Sequence, residues 1–152
     1  MKAFTGSFTF KVDKKGRISV PAEYRAILSP PGDATGAEAG AAGILAFPWF
    51  DYRAIRACGP ELMEQIAATR SPTAVFETAP VDSALISAAD MIHLPFDGEG
   101  RVVLPRDLAE HAGISDSATI VGQVNYFEIW NPVTFKAHQT ARRALRAPVG
   151  TS

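Results

Sequence analysis

Two short segments place an aspartate, a glycine and an arginine at one spacing: Asp13-Lys14-Lys15-Gly16-Arg17 and Asp97-Gly98-Glu99-Gly100-Arg101. An aspartate at the head of a tight turn accepts nearby backbone amides, and a glycine near its end takes positive φ. The arginine can then do one of two things. It can pair with its own aspartate and build the turn, or it can reach phosphates and base edges, where its planar fork suits guanine. Spacing alone leaves Arg17 open between these roles. Lys14 and Lys15 suit phosphate contact. The second turn carries Gly98 and Glu99 in their place, so Arg101 fits structural pairing better. Lys11, on the solvent side of a strand, and Arg25, on the exposed face of a following helix, extend the basic patch. Asp13, Gly16, Asp97 and Gly100 complete the motif as its structural members.

No catalytic or metal-binding set emerges. His93, His111 and His138 are isolated and lack H-E-x-x-H spacing. Asp97 and Glu99 lie on one turn without a second convergent pair. Asp97-Gly98-Glu99-Gly100 is too short for a calcium loop. Cys58 precedes Gly59-Pro60 and has no activating histidine in view. The Ala/Gly run near residue 40 lacks the Gly-Lys-Ser/Thr ending of a phosphate loop. Neither a cofactor nor a small-molecule substrate is expected.

The motif lies inside an internal repeat. Asp13–Pro21 falls on Asp97–Pro105 at an offset of 84 residues, and Leu45–Pro48 falls on Ile129–Pro132 at the same offset. Each copy reads as strand, tight turn, strand and short helix. Phe8, Phe10 and Val12 alternate with polar residues before the first turn, as do Ile92, Leu94 and Phe96 before the second. Ile18 and Val20, then Val102 and Leu104, resume the alternation. Pro21 and Pro105 preset the first turn of a helix. Residues 118–130 predict a hairpin about Gln123–Asn125. Helices are expected after Pro48, Pro60 and Pro132, and residues 29–43 read as a Gly/Ala-rich loop around a ragged strand. Phe4, Phe8, Phe10, Phe47, Trp49, Phe127 and Trp130 read as core or subunit interface. The copies cover residues 1–70 and 85–152, with a bridge at 71–84.

A chain of 152 residues, 47% apolar and 20% charged, can bury one ordinary core. No run reaches the roughly 20 apolar residues of a membrane helix. The basic N-terminus does not read as a signal peptide, and one cysteine excludes an internal disulfide. The expected compartment is the cytosol. Net charge is −1, but it is unevenly placed. Residues 2–25 carry six cations against two acids, and residues 136–146 carry Lys136, Arg142, Arg143 and Arg146 with no acid. An acidic middle lies between two basic ends, and local sign governs encounter with an anionic partner. The C-terminal cations also read simply as a solvated helix face.

The paired D-x-x-x-R turns, the prolines after them and the segment Val121-Gly122-Gln123…Phe127-Glu128-Ile129-Trp130 resemble the MraZ family over nearly the whole chain. That resemblance implies an α+β fold of two tandem AbrB/SpoVT swapped-hairpin copies. It further implies a small β-barrel with peripheral helices, assembled into a ring-shaped homo-oligomer. By function it implies a cytoplasmic, nucleoid-associated transcriptional regulator that represses the division and cell-wall gene cluster containing its own gene. The partner would be double-stranded DNA bearing direct repeats, met by Lys11, Lys14, Lys15, Arg17 and Arg25. Two features depart from the family pattern: the acidic second turn, and a segment before it, residues 73–91, without arginine. An AbrB-type antitoxin is the alternative reading. It predicts one copy and a long tail, whereas this chain has two copies and a short end. A ligand-binding barrel would need a polar pocket with convergent titratable groups.

Overall fold

In a computed structural model of the chain, residues 3–28, 43–60, 62 and 88–146 are described. Among these residues eight strands follow in chain order: β1 Ser7–Lys11, β2 Arg17–Ser19, β3 Gly43–Trp49, β4 Ala54–Cys58, β5 Ile92–Pro95, β6 Arg101–Val103, β7 Ser117–Gly122 and β8 Phe127–Trp130. The α-helices among these residues are α1 Ala22–Leu28, α2 Arg106–Ala112 and α3 Pro132–Arg146. The fold is therefore mixed α+β.

Six strands form one antiparallel sheet in the order β1-β7-β8-β4-β3-β5. β2 and β6 form a separate two-stranded antiparallel ribbon. The strand before each Asp-Gly-Arg turn pairs with a strand distant in sequence: β1 with β7, and β5 with β3. Arg17 lies opposite Val103, Ile18 opposite Val102 and Ser19 opposite Arg101, so the 84-residue offset maps the ribbon onto itself.

Among the described residues the expected small β-barrel is not formed. The sheet is open, with β1 and β5 at its two edges. β2 and β6 would extend those edges, but the chain turns away at Asp13 and Asp97, and the two short strands pair with each other instead. Their inward residues Ile18 and Val102 are each 1% exposed and join one apolar core with Val20, Leu104, Leu108, Ile120, Phe127 and Ile129. Tyr24 of α1 is fully buried there, ringed by Phe4, Phe8 and Phe127. Its hydroxyl donates to the Thr5 carbonyl at 2.7 Å, which satisfies the one polar atom the ring brings inside.

A second correction concerns residues after Pro48. The sequence predicts a helix there, but Pro48 lies within β3 opposite Ile55, and the chain turns back into β4. All five residues of β4 are buried between β3 and β8. Pairing on both sides overrides the helical preference of its alanines. The alignment of Pro48 with Pro132 is thus coincidental, since Pro132 opens α3. The helices after Pro21, Pro105 and Pro132 and the hairpin of β7 and β8 form as predicted. Pro60 and Leu62 are helical. The rest of that helix, most of the loop at 29–43 and the bridge at 71–84 lie outside the described residues. Phe4, Phe47, Trp49, Phe127 and Trp130 are buried, and Phe8 and Phe10 pack half-buried on the core.

Candidate nucleic-acid interface

The two turns are built alike. In the first, Asp13 Oδ1 accepts the amides of Lys15 at 2.9 Å and Arg17 at 2.8 Å, and the Gly16 amide donates to the Asp13 carbonyl. Asp13 Oδ2 takes the Arg17 Nε. In the second, Asp97 Oδ1 accepts the amides of Glu99 and Arg101 at 2.9 Å each, and Oδ2 takes the Arg101 Nε at 2.9 Å. Gly16 and Gly100 hold φ of +80° and +77°, a region that costs a residue with a Cβ about 1–2 kcal/mol. The turns are also clamped together. The Leu104 amide donates to the Gly16 carbonyl at 2.9 Å, and the Val20 amide to the Gly100 carbonyl at 3.2 Å. Gly16→Ala is expected to lose about 1–2 kcal/mol of stability by chemical denaturation. Gly100→Ala should lose a similar amount from its positive φ; the Arg25 guanidinium its methyl would meet at 2.5 Å is the far end of a flexible side chain and can move aside.

Hydrogen bonds hold both aspartates below the usual carboxylate range. The Arg17 amide has the largest effect on Asp13; slight burial opposes it, and the Arg17 side chain and Lys15 amide add to it. For Asp97 the Arg101 amide leads, burial opposes, and the Glu99 amide and Arg101 side chain follow. A carboxylate whose value is lowered by folding stabilises the fold above its unfolded value of about 4. That contribution is lost as pH falls through the folded value. The thermal midpoint is therefore expected to drop below about pH 4, and less steeply in Asp13→Asn.

The structure separates the candidate cations by what holds them. Lys11, Lys14 and Lys15 are exposed, and no ammonium of theirs has an ion pair among the described residues. Arg17 is paired with Asp13, yet its side chain remains 30% exposed. It fills the first of the two roles that its spacing left open, bracing the turn through Nε, while part of its side chain stays at the surface. Arg101 is more committed, facing Asp97, Glu99 at 3.4 Å and Asp13 at 3.9 Å. Arg25 departs from expectation. It is half-buried rather than on an exposed face, with its Nε donating to the Val20 carbonyl at 3.1 Å and its guanidinium against Gly100. It therefore supports the second turn.

Sequence reasoning missed a buried ionic cluster at the β4–β8 seam. Arg56 and Glu128 lie opposite each other in register, with Arg56 Nε 3.1 Å from Glu128 Oε2. Tyr52 Oη donates to the same oxygen at 2.6 Å. Gln123 and the Trp130 indole each donate to Oε1 at 3.2 Å. The Arg56 guanidinium also stacks over Trp49 at 3.4 Å. Burial, then the bond to Glu128, pushes the Tyr52 hydroxyl up to about 12. The available signal was a single charge inside each of two apolar runs, Ala54–Cys58 and Phe127–Trp130. Cys58 is buried, which pushes its thiol up to about 11 and leaves it a packing residue.

A second basic element is a helix. α3 packs Phe135 and His138 against Trp130, while Lys136, Arg142, Arg143 and Arg146 are exposed. The first turn displays Lys14, Lys15 and part of Arg17 at the surface, a concentration of positive charge on one hairpin.

Residues 86–148 match the family described as "MraZ protein, putative antitoxin-like". A protein of Rickettsia bellii named "Transcriptional regulator MraZ" is 40% identical over 141 residues, covering 88% of this chain and 84% of that protein. One of the same name from Rickettsia peacockii is 37% identical over 152 residues, covering 95% and 92%. A third, from Pelagibacter ubique, is 35% identical over 133 residues, covering 88% and 81%. With identity at this level along most of both chains, the protein belongs to the MraZ family.

Proposed function

We propose that the chain is a sequence-specific DNA-binding transcriptional regulator. It represses the promoter of the division and cell-wall gene cluster, its own gene included, and acts in the cytoplasm at the nucleoid. The observation that carries this reading is the first turn. Asp13 fixes a hairpin on which Lys14 and Lys15 project freely and Arg17 keeps an outward edge. Lysines supply phosphate attraction, and an arginine edge supplies base readout. The names of the relatives, each a transcriptional regulator, support the regulatory part of this reading. No step of this function breaks or makes a covalent bond, so the protein is not an enzyme in this reading.

The architecture proposed is a tandem swapped hairpin, residues 1–70 and 85–152 joined by 71–84. The exchanged pairings of β1 with β7 and β5 with β3 support it. Homo-oligomerisation into a ring would set several first turns along one duplex, and direct repeats near one helical turn apart would meet them in register. α3 offers a surface for self-association: Val133 and Leu145 are 79% and 86% exposed, with Ala137 and Ala141 between them at four-residue spacing. A nuclease footprint on DNA upstream of the gene tests the reading. Protected patches recurring about every 10 bp are expected; uniform cleavage at saturating protein would contradict it. The antitoxin alternative is favoured by the wording of the family description. It predicts a tight protein partner and no such footprint.

A further inference from the structure

The outward face of the β2–β6 ribbon carries four side chains: Arg17, Ser19, Arg101 and Val103. Ile18 and Val102 point into the core. Residues directly opposite in an antiparallel pair share a face, so Arg17 stands beside Val103, and Arg101 beside Ser19. The 84-residue offset makes Val103 the counterpart of Ser19. The ribbon therefore repeats its arginine but not the arginine's neighbour. Val103 is 52% exposed. A single exposed valine needs no explanation; this one lies on the face that bears Arg17, at the end of the ribbon next to the lysine turn.

A two-stranded ribbon fits the major groove, and the apolar group displayed there is the thymine C5 methyl. We propose that Val103 is a specificity-determining residue that packs on a thymine methyl beside the group engaged by Arg17. Ser19 is its polar counterpart at the other end. One subunit thus reads an asymmetric element, with the lysine turn, Arg17 and Val103 at one end and the acidic turn, Arg101 and Ser19 at the other. This inference rests on the DNA-binding reading and deepens it.

The test uses the full chain and the duplex it selects from a random pool. Each thymine of that duplex is replaced singly by deoxyuridine, which lacks only the methyl, and affinity is measured by fluorescence anisotropy. One replacement is expected to weaken wild-type binding about fourfold, the worth of one buried methyl-sized group. Val103→Ser should bind thymine and deoxyuridine duplexes equally at that position, and Val103→Ile should retain the preference. Equal binding of all the deoxyuridine duplexes by wild type would overturn the role of Val103 while leaving specific DNA binding intact. A preference that persists in Val103→Ser would also overturn it. Failure to enrich any duplex would overturn the DNA-binding reading and this inference together.

Discussion

Glu128→Ala is expected to destabilise the protein by about 3–5 kcal/mol, because it strands the buried Arg56 guanidinium without its carboxylate. Glu128 is 1% exposed and Arg56 9%, so water cannot readily replace the lost partner. Four groups lose an acceptor at once: Arg56, Tyr52, Gln123 and Trp130. For a chain of this size the loss corresponds to a fall in thermal midpoint of about 10 °C or more. Changing both residues to apolar ones, Arg56→Met with Glu128→Leu, should recover only part of it: the stranded charge disappears with the pair, but Tyr52, Gln123 and Trp130 still lack their acceptor. Denaturant melts of the single and double variants check both statements. A single variant within about 1 kcal/mol of wild type would show that the seam does not depend on this pair. The consequence reaches the turns, because β4 and β8 are the central strands of the sheet whose edge strands, β1 and β5, lead into them.

Arg17→Ala is expected to weaken specific DNA binding by about 10- to 100-fold per engaged subunit, the range set by loss of one bidentate base contact. Multivalent binding would enlarge that loss on a duplex with several repeats. The turn itself should persist, because Asp13 Oδ1 still accepts the amides of residues 15 and 17. Lys14→Ala with Lys15→Ala should act differently. It should weaken binding to all duplexes alike and reduce the salt slope by about one per lost phosphate contact. Arg101→Ala should alter stability more than affinity, because its guanidinium faces three carboxylates. Affinities on matched and scrambled duplexes, with thermal midpoints of each variant, separate these patterns.

Much of this arrangement is legible in the sequence because local rules decide it. Asp13 and Asp97, with glycine three residues on and arginine four, specify a turn whatever surrounds it. Pro21, Pro105 and Pro132 mark helix starts that formed. The alternation of Phe8 and Phe10 marks an edge strand with one buried face. The parts that were not legible depend on partners distant in sequence. β4 reads as helix because Ala54, Ala57 and the arginines give no β signal; its pairing with β3 and β8 decides the matter. The open sheet follows from β2 and β6 choosing each other, which neither short strand announces. Arg25 sits correctly for a solvent-facing helix position, but the approach of Gly100 offers its guanidinium a packed place. Arg56 and Glu128 became partners only when the central strands met.

The most direct measurement of the central claim is fluorescence anisotropy of the full chain on DNA from just upstream of its own gene, with a scrambled duplex and Arg17→Ala, across a salt series. The account predicts tight binding to the native duplex that falls steeply with salt and is lost both on the scramble and in Arg17→Ala. Equal affinity for native and scrambled duplexes by folded wild-type protein would contradict it.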